Sequence, residues 1–179
     1  MAWKKTVVLR DGRKVLLRDL SPKDSASELR AFIASFVKEG AFISRDEVPS
    51  MKEQKEWLKG QFGKMKKGEA IQIIAESGGR IVGKASAARE SRKERNNVEL
   101  GIAVLPTFRG ASLGKLMLQN VIARVKTEMK PKNIALAVLE PNKRAHALYR
   151  KVGFRDFARF PNWLLHEGKY YDKIYLILR

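Results

Sequence analysis

The 179-residue chain contains no cysteine. That one absence removes disulfides, thiolate metal sites and a cysteine nucleophile. Histidine occurs only at His146 and His166, too sparse for a histidine-rich metal site, so no metal is expected. No apolar run approaches the roughly 20 residues that a bilayer crossing requires. The first six residues lead into an alternating segment rather than the apolar block of a signal peptide. Together these absences predict a soluble, cytoplasmic protein with no membrane partner. Acidic residues are also scarce: 19 Asp and Glu stand against 37 Lys and Arg, giving a formal charge of +18. The excess is spread from Lys4 to Arg179 with no long basic tail. It favours anionic partners such as nucleic acid, ribosome, an acidic protein or a polyphosphate ligand.

Apolar residues make up 44% of the chain, enough for a buried core at this length. Residues 6–10 and 13–18 alternate around Asp11-Gly12, a hairpin signal. Ser21-Pro22 is expected to open a helix, with Leu29, Phe32, Ile33, Phe36 and Val37 as its apolar stripe and Gly40 at its end. A second helix is expected over 50–67, with Trp57, Leu58, Phe62 and Met65 inward. Strands follow at 70–76, 80–89 and 97–105, the first two joined by Ser77-Gly78-Gly79. A long helix over 110–130 ends before Pro131. The short apolar segment 134–139 reads as a strand covered on both faces. A short helix over 142–151 closes at Gly153, and strands 154–160 and 171–178 flank a loop carrying Pro161, Trp163, Gly168 and Tyr170. The order ββααβββαβαββ predicts one α/β domain over 1–179: a mixed central sheet of about seven strands flanked by about four helices.

Two segments carry chemistry. In the first, strand residues Ile102, Ala103 and Val104 run into Arg109-Gly110-Ala111-Ser112-Leu113-Gly114, small residues at the start of a helix. The first amides of a helix lack internal partners, and small residues let an anion approach them. A Walker A loop is excluded, because only three residues separate Gly110 from Gly114 and Leu116 follows Lys115. The dinucleotide pattern of three glycines is absent. In the second segment, Asn142 suits a helix cap, Ala145 a close contact, Leu148 the core and Gly153 a helix end. Tyr149 is least explained by packing alone, since a buried hydroxyl needs a polar partner.

Taken together, Arg109-x-x-Ser112-x-Gly114, a helix, an apolar strand and Asn142-x-x-Ala145-x-x-Leu148-Tyr149-x-x-x-Gly153-Phe154 resemble the coenzyme A core of the GNAT acetyltransferases. Residues 102–114 also resemble the ribosomal-protein alanine acetyltransferases of that family, and the likeness spans about 98–154. It implies an N-acetyltransferase that uses acetyl-CoA as co-substrate. By resemblance, amides around Arg109, Gly110, Ala111, Leu113 and Gly114 hold the pyrophosphate, and Ser112 stands where the family has glycine. Ile102, Ala103 and Val104 form the strand edge along pantetheine, Asn142 contacts the cofactor and Tyr149 is the general acid. The glutamate of the alanine acetyltransferases falls at Ala137 here. The base is therefore open between Glu99, Glu140 and a water chain. His146 and His166 read as surface residues.

The implied acceptor is an amine, first a protein N-terminus or lysine, with association to an anionic macromolecule such as the ribosome; a small-molecule amine is the alternative. A catalytically silent GNAT-like fold that binds RNA or ribosome is the competing reading. The loop bearing Trp163, Tyr170 and Tyr171 is expected to border the acceptor.

Overall fold

Alternation around Asp11-Gly12 does build a hairpin in the computed structural model, which describes residues 3–43 and 45–178. Strands β1 (Lys4–Val8) and β2 (Lys14–Asp19) pair antiparallel, and Gly12 takes the positive φ of 84° that the turn needs. Helix α1 (Ala26–Lys38) buries Leu29, Phe32 and Phe36. It starts one turn later than Ser21-Pro22 suggested, with Ser25 at the N-cap. The side chain of Asp24 accepts the Ser21 amide at 2.7 Å and also binds Arg18. That carboxylate therefore holds 21–24 as a separate turn. Helix α2 (Met51–Lys66) starts where expected. Ser50 and Glu53 form a reciprocal capping box, a cap worth about 1 kcal/mol.

Strands β3 (Ala70–Ser77), β4 (Arg80–Arg89) and β5 (Asn97–Val104) form an antiparallel run. The following helix is shorter than the periodicity suggested. A 3-10 turn at Pro106–Phe108 precedes it, α3 spans Leu113–Arg124, and its last turn loosens into a π-turn at Val125–Met129. Then come β6 (Asn133–Leu139), α4 (Lys143–Lys151), β7 (Phe154–His166) and β8 (Lys169–Leu178). The supposed loop between the last two strands is itself strand. The two pair as far as His166 and Lys169, with an irregularity between Phe160 and Leu164 that absorbs Pro161.

Among the described residues the sheet has eight strands rather than about seven, in the order β1-β2-β3-β4-β5-β6-β8-β7, with four α-helices on its faces. Alternation sorts its side chains. Val98, Leu100, Ile134 and Leu136 pack with Leu113, Met117, Leu118 and Val121 of α3. On the other face, Ile74 and Ile81 pack with Leu29, Phe32, Phe36 and Leu58 of α1 and α2. No helix among the described residues is long and apolar enough to cross a membrane.

The feature that positions the site is the junction of β5 and β6. These are the parallel neighbours, and they pair only at Asn97↔Asn133, Val98↔Ile134 and Glu99↔Ala135. Beyond that, β5 continues on β4 alone through Val104, and β6 continues on β8 alone through Leu139. The sheet opens there along one edge of each strand.

Candidate active site

Backbone alternation decides which groups face the opening. The Leu105 amide bonds Val82 across β4, and the Ala103 carbonyl lies against Gly83 of the same strand. Odd-numbered residues of β5 therefore direct their backbone polar groups to β4, and the even-numbered Ile102 and Val104 direct theirs into the opening. Of the three edge residues named from the sequence, Ala103 differs from its neighbours in this respect. Its side chain packs under α1 and α2 instead.

Residues 109–114 sit at the mouth of this opening, at the start of α3. Gly110 has φ 84° and Ser112 φ 74°, both left-handed. Ser112 is the N-cap of α3 but makes no side-chain cap bond, unlike Ser50 of α2 and Asn142 of α4. The opening amides of α3 thus lack the side-chain partner that the other two helices have. The Ala111 carbonyl accepts the Arg10 amide at 3.1 Å, so the β1–β2 hairpin braces the loop from behind. Gly114 is a close approach: a Cβ there would lie 3.1 Å from Leu148 of α4 and 3.8 Å from Ile102 and Val104. This packing brings α4 against the loop. The backbone at 110–114, its small residues and its free amides suit a pyrophosphate.

Arg109 is tied down. Its Nε donates to the Val104 carbonyl at 2.9 Å, and its two terminal nitrogens form a bidentate pair with Glu39 at the end of α1. The Glu39 carboxyl is held below its ordinary value by that guanidinium. One side chain therefore links the β5 end, the loop and the α1–α2 connection. Arg144 of α4 places its Nη2 3.4 Å from the position of a Gly110 Cβ. Arg144 was not singled out from the sequence; its place two residues after a helix-capping asparagine was the available signal.

Asn142 caps α4 by accepting the Ala145 amide at 3.1 Å, which leaves its amide nitrogen for another partner. Tyr149 is 6% exposed and meets Phe154 edge-on at 6.3 Å. Burial alone pushes its hydroxyl up to about 12. Glu99 lies in a groove of about 460 Å³ between α2 and the sheet, with Lys64, Ser86, Glu90 and Gly101. Burial raises its carboxyl first, Lys173 counters that and Glu90 adds to it. Glu140, the other carboxylate considered, is ion-paired with Lys143. Tyr175 stands opposite Ala137 across β6–β8. His146 bonds Asp156 at 2.8 Å, and His166 packs on Phe42 with ring centroids 4.9 Å apart. The β7–β8 hairpin thus touches the α1–α2 connection and spans the groove side of the opening.

This split sheet beside a glycine-bearing helix start defines a class. Residues 34–154 match the sequence profile described as Acetyltransferase (GNAT) family, more than half of the chain, and the chain belongs to that family. No curated protein matches it in sequence. Among solved structures it is similar to a GNAT-family acetyltransferase from Streptococcus pneumoniae, at 27% identity and TM-score 0.81 over 91% of this chain and 98% of that one. It also shares its fold with a ribosomal-protein-alanine N-acetyltransferase from Brucella melitensis, at 22% identity and TM-score 0.79 over 90% and 97%. A third similar fold is yncA from Salmonella typhimurium, solved with its cofactor acetyl-CoA, at 19% identity and TM-score 0.80 over 92% and 93%.

Ser112 yields a prediction. A left-handed residue with a Cβ costs about 1–2 kcal/mol, and glycine returns about 0.5–1 of that through the unfolded chain. Ser112→Gly should raise stability by up to about 1 kcal/mol, or about 2–4 °C in thermal denaturation. Gly110→Ala, at φ 84°, should lower it. A lower melting temperature for Ser112→Gly would show that the serine stabilises the loop.

Proposed function

We propose that this GNAT acetyltransferase moves the acetyl group of acetyl-CoA directly to the amine of a protein or peptide, at an N-terminus or a lysine. The observation that carries the reading is the unpaired β5 edge at Ile102 and Val104 running straight into the uncapped start of α3. Acetyl-CoA supplies the activated thioester. Amides of 110–114 and the Arg144 guanidinium hold its phosphates, and the free amide nitrogen of Asn142 adds a contact. The Ile102 and Val104 amides line pantetheine and donate to the thioester carbonyl, where negative charge grows during attack. One such donor typically contributes about 3–4 kcal/mol.

Glu99 takes the amine proton, directly or through water. A carboxyl raised by burial is a stronger base than a free one. Tyr149 serves the departing sulfur. Magnitudes decide how: its hydroxyl is pushed up to about 12, whereas an alkyl thiol ionises near about 8.5. Complete transfer from phenol to thiolate is then uphill by about 5 kcal/mol. Tyr149 therefore acts as a permanently protonated hydrogen-bond donor that stabilises the thiolate, and the proton removed by Glu99 ends in solvent or on sulfur by way of water. Support for a peptide acceptor comes from the hairpin, where Phe157, Trp163 and Tyr170 are exposed on strands that reach over to Phe42. Flat, rigid side chains of this kind grip extended chains at low entropic cost.

Thiol release from acetyl-CoA with peptide acceptors tests the reading. Tyr149→Phe should lower turnover about 10²–10³-fold with the acetyl-CoA dissociation constant roughly kept, as calorimetry would report. Unchanged turnover would assign the sulfur to another donor. Glu99→Gln should slow turnover and remove the rise in rate that accompanies ionisation of a carboxyl above its ordinary range. A mutant retaining the wild-type pH profile would move the base elsewhere.

A further inference from the structure

Lys84 lies in the middle of β4, and its position has no use in the chemistry above. Its register partners are Ile74 on β3 and Ala103 on β5, both part of the apolar cluster beneath α1 and α2. Its ammonium sits 4.0 Å over the Trp57 ring of α2. It shares a sheet face with Ser86, Glu99 and Gly101, which line the groove that holds the proposed base. Burial, and then the charge of Arg45, depress it to about 8. Lys84 forms no salt bridge among the described residues, and Arg45 adds positive charge in its vicinity. Glu90 and Glu99 line the groove farther along the same sheet face. A desolvated lysine facing a second cation is costly to keep charged, and the cost falls when an anion joins them. Protein stability alone would favour an apolar residue at this position, since its neighbours on both strands are apolar.

We propose that Lys84 forms an anion subsite that receives a carboxylate of the acceptor, close to the amine that is acetylated. The placement puts the two positions near each other. Lys84 is directly across from Ala103, flanked on β5 by the Ile102 and Val104 amides that face the opening, and neighbouring strands lie about 4.8 Å apart. An anion at Lys84 and an amine at the β5 opening therefore belong to adjacent groups of one molecule: the α-carboxylate of an amino acid, or an acidic side chain next to the acetylated residue of a peptide. Trp57 walls the subsite with a ring face that tolerates the cation and excludes water. The inference rests on the acetyl transfer from acetyl-CoA proposed above and narrows its acceptor; a preference for a free amino acid would replace the peptide of that reading.

Matched acceptors separate the two sources of carboxylate. One pair is leucine and leucinamide; the other is Ala-Glu-Ala-amide and Ala-Gln-Ala-amide. The wild type should favour the acid member of at least one pair by 10-fold or more in kcat/KM, and the pair that shows it identifies the source. In Lys84→Met the acid-to-amide ratio should fall toward one, mainly through KM for the acid, and Lys84→Arg should restore part of it. Calorimetry on the CoA-saturated protein with N-acetylleucine and N-acetylleucinamide, and with the acetylated peptides, gives the same comparison without turnover. A ratio near one in the wild type, or one that survives in Lys84→Met, overturns the anion subsite. An equal loss of kcat on acid and amide acceptors in Lys84→Met overturns it too, and makes Lys84 a base. Loss of acetyl-CoA binding by the wild type itself would instead defeat the acetyl-transfer reading.

Discussion

The structure depends on a hydrogen-bonded pairing that stops. Three register pairs hold β5 to β6, and then each strand keeps only its other neighbour. Unpaired backbone groups inside a protein are costly unless a partner meets them. The fold carries that cost at one place, where a ligand with its own amides and carbonyls can meet the Ile102 and Val104 edge. Everything around the opening keeps it from closing. The β6–β8 and β4–β5 ladders fix its two walls, and the core of α3 against Val98 and Leu100 fixes its floor. Gly114 lets α4 come close, with Leu148 against it and Arg144 beside Gly110.

A second constraint joins the two halves of the site. Arg109 holds the Val104 carbonyl and Glu39 together, so one side chain ties the end of β5, the 109–114 loop and the end of α1. The α1–α2 connection in turn touches the β7–β8 hairpin through Phe42, His166 and Tyr171. The proposed acceptor side is therefore joined by contacts to the proposed cofactor side. The net charge of +18 acts on top of this geometry. It raises the encounter rate with anions generally.

Much of the fold was legible because periodicity and turn chemistry agreed. Asp11-Gly12, the Ser50 cap and the apolar run of β6 all formed where their residue types demanded. The misreadings have local causes. Asp24 captured the Ser21 amide, so the cap signal of Ser21-Pro22 became a turn. Pro161 and Gly168 looked like loop residues, yet an irregular register accommodates the first and the hairpin turn uses the second. At the site, the loop 109–114 and the helix bearing Tyr149 were legible as chain patterns. The tie between Arg109 and Glu39, the approach of Arg144 to Gly110 and the burial of Lys84 under Trp57 were not, because each joins residues far apart in sequence or on different elements. Alternation could have separated Ala103 from Ile102 and Val104 only once the side on which β4 pairs was known.

The central claim is that the open edge of β5 is where acetyl-CoA binds. Backbone amide hydrogen exchange, resolved by residue and compared with and without saturating acetyl-CoA, tests it most directly. The account predicts that Ile102 and Val104 exchange readily in the free protein and become protected on binding, while Ala103, bonded to β4, is already protected and changes little. Unaltered exchange at Ile102 and Val104 under saturating acetyl-CoA would contradict it.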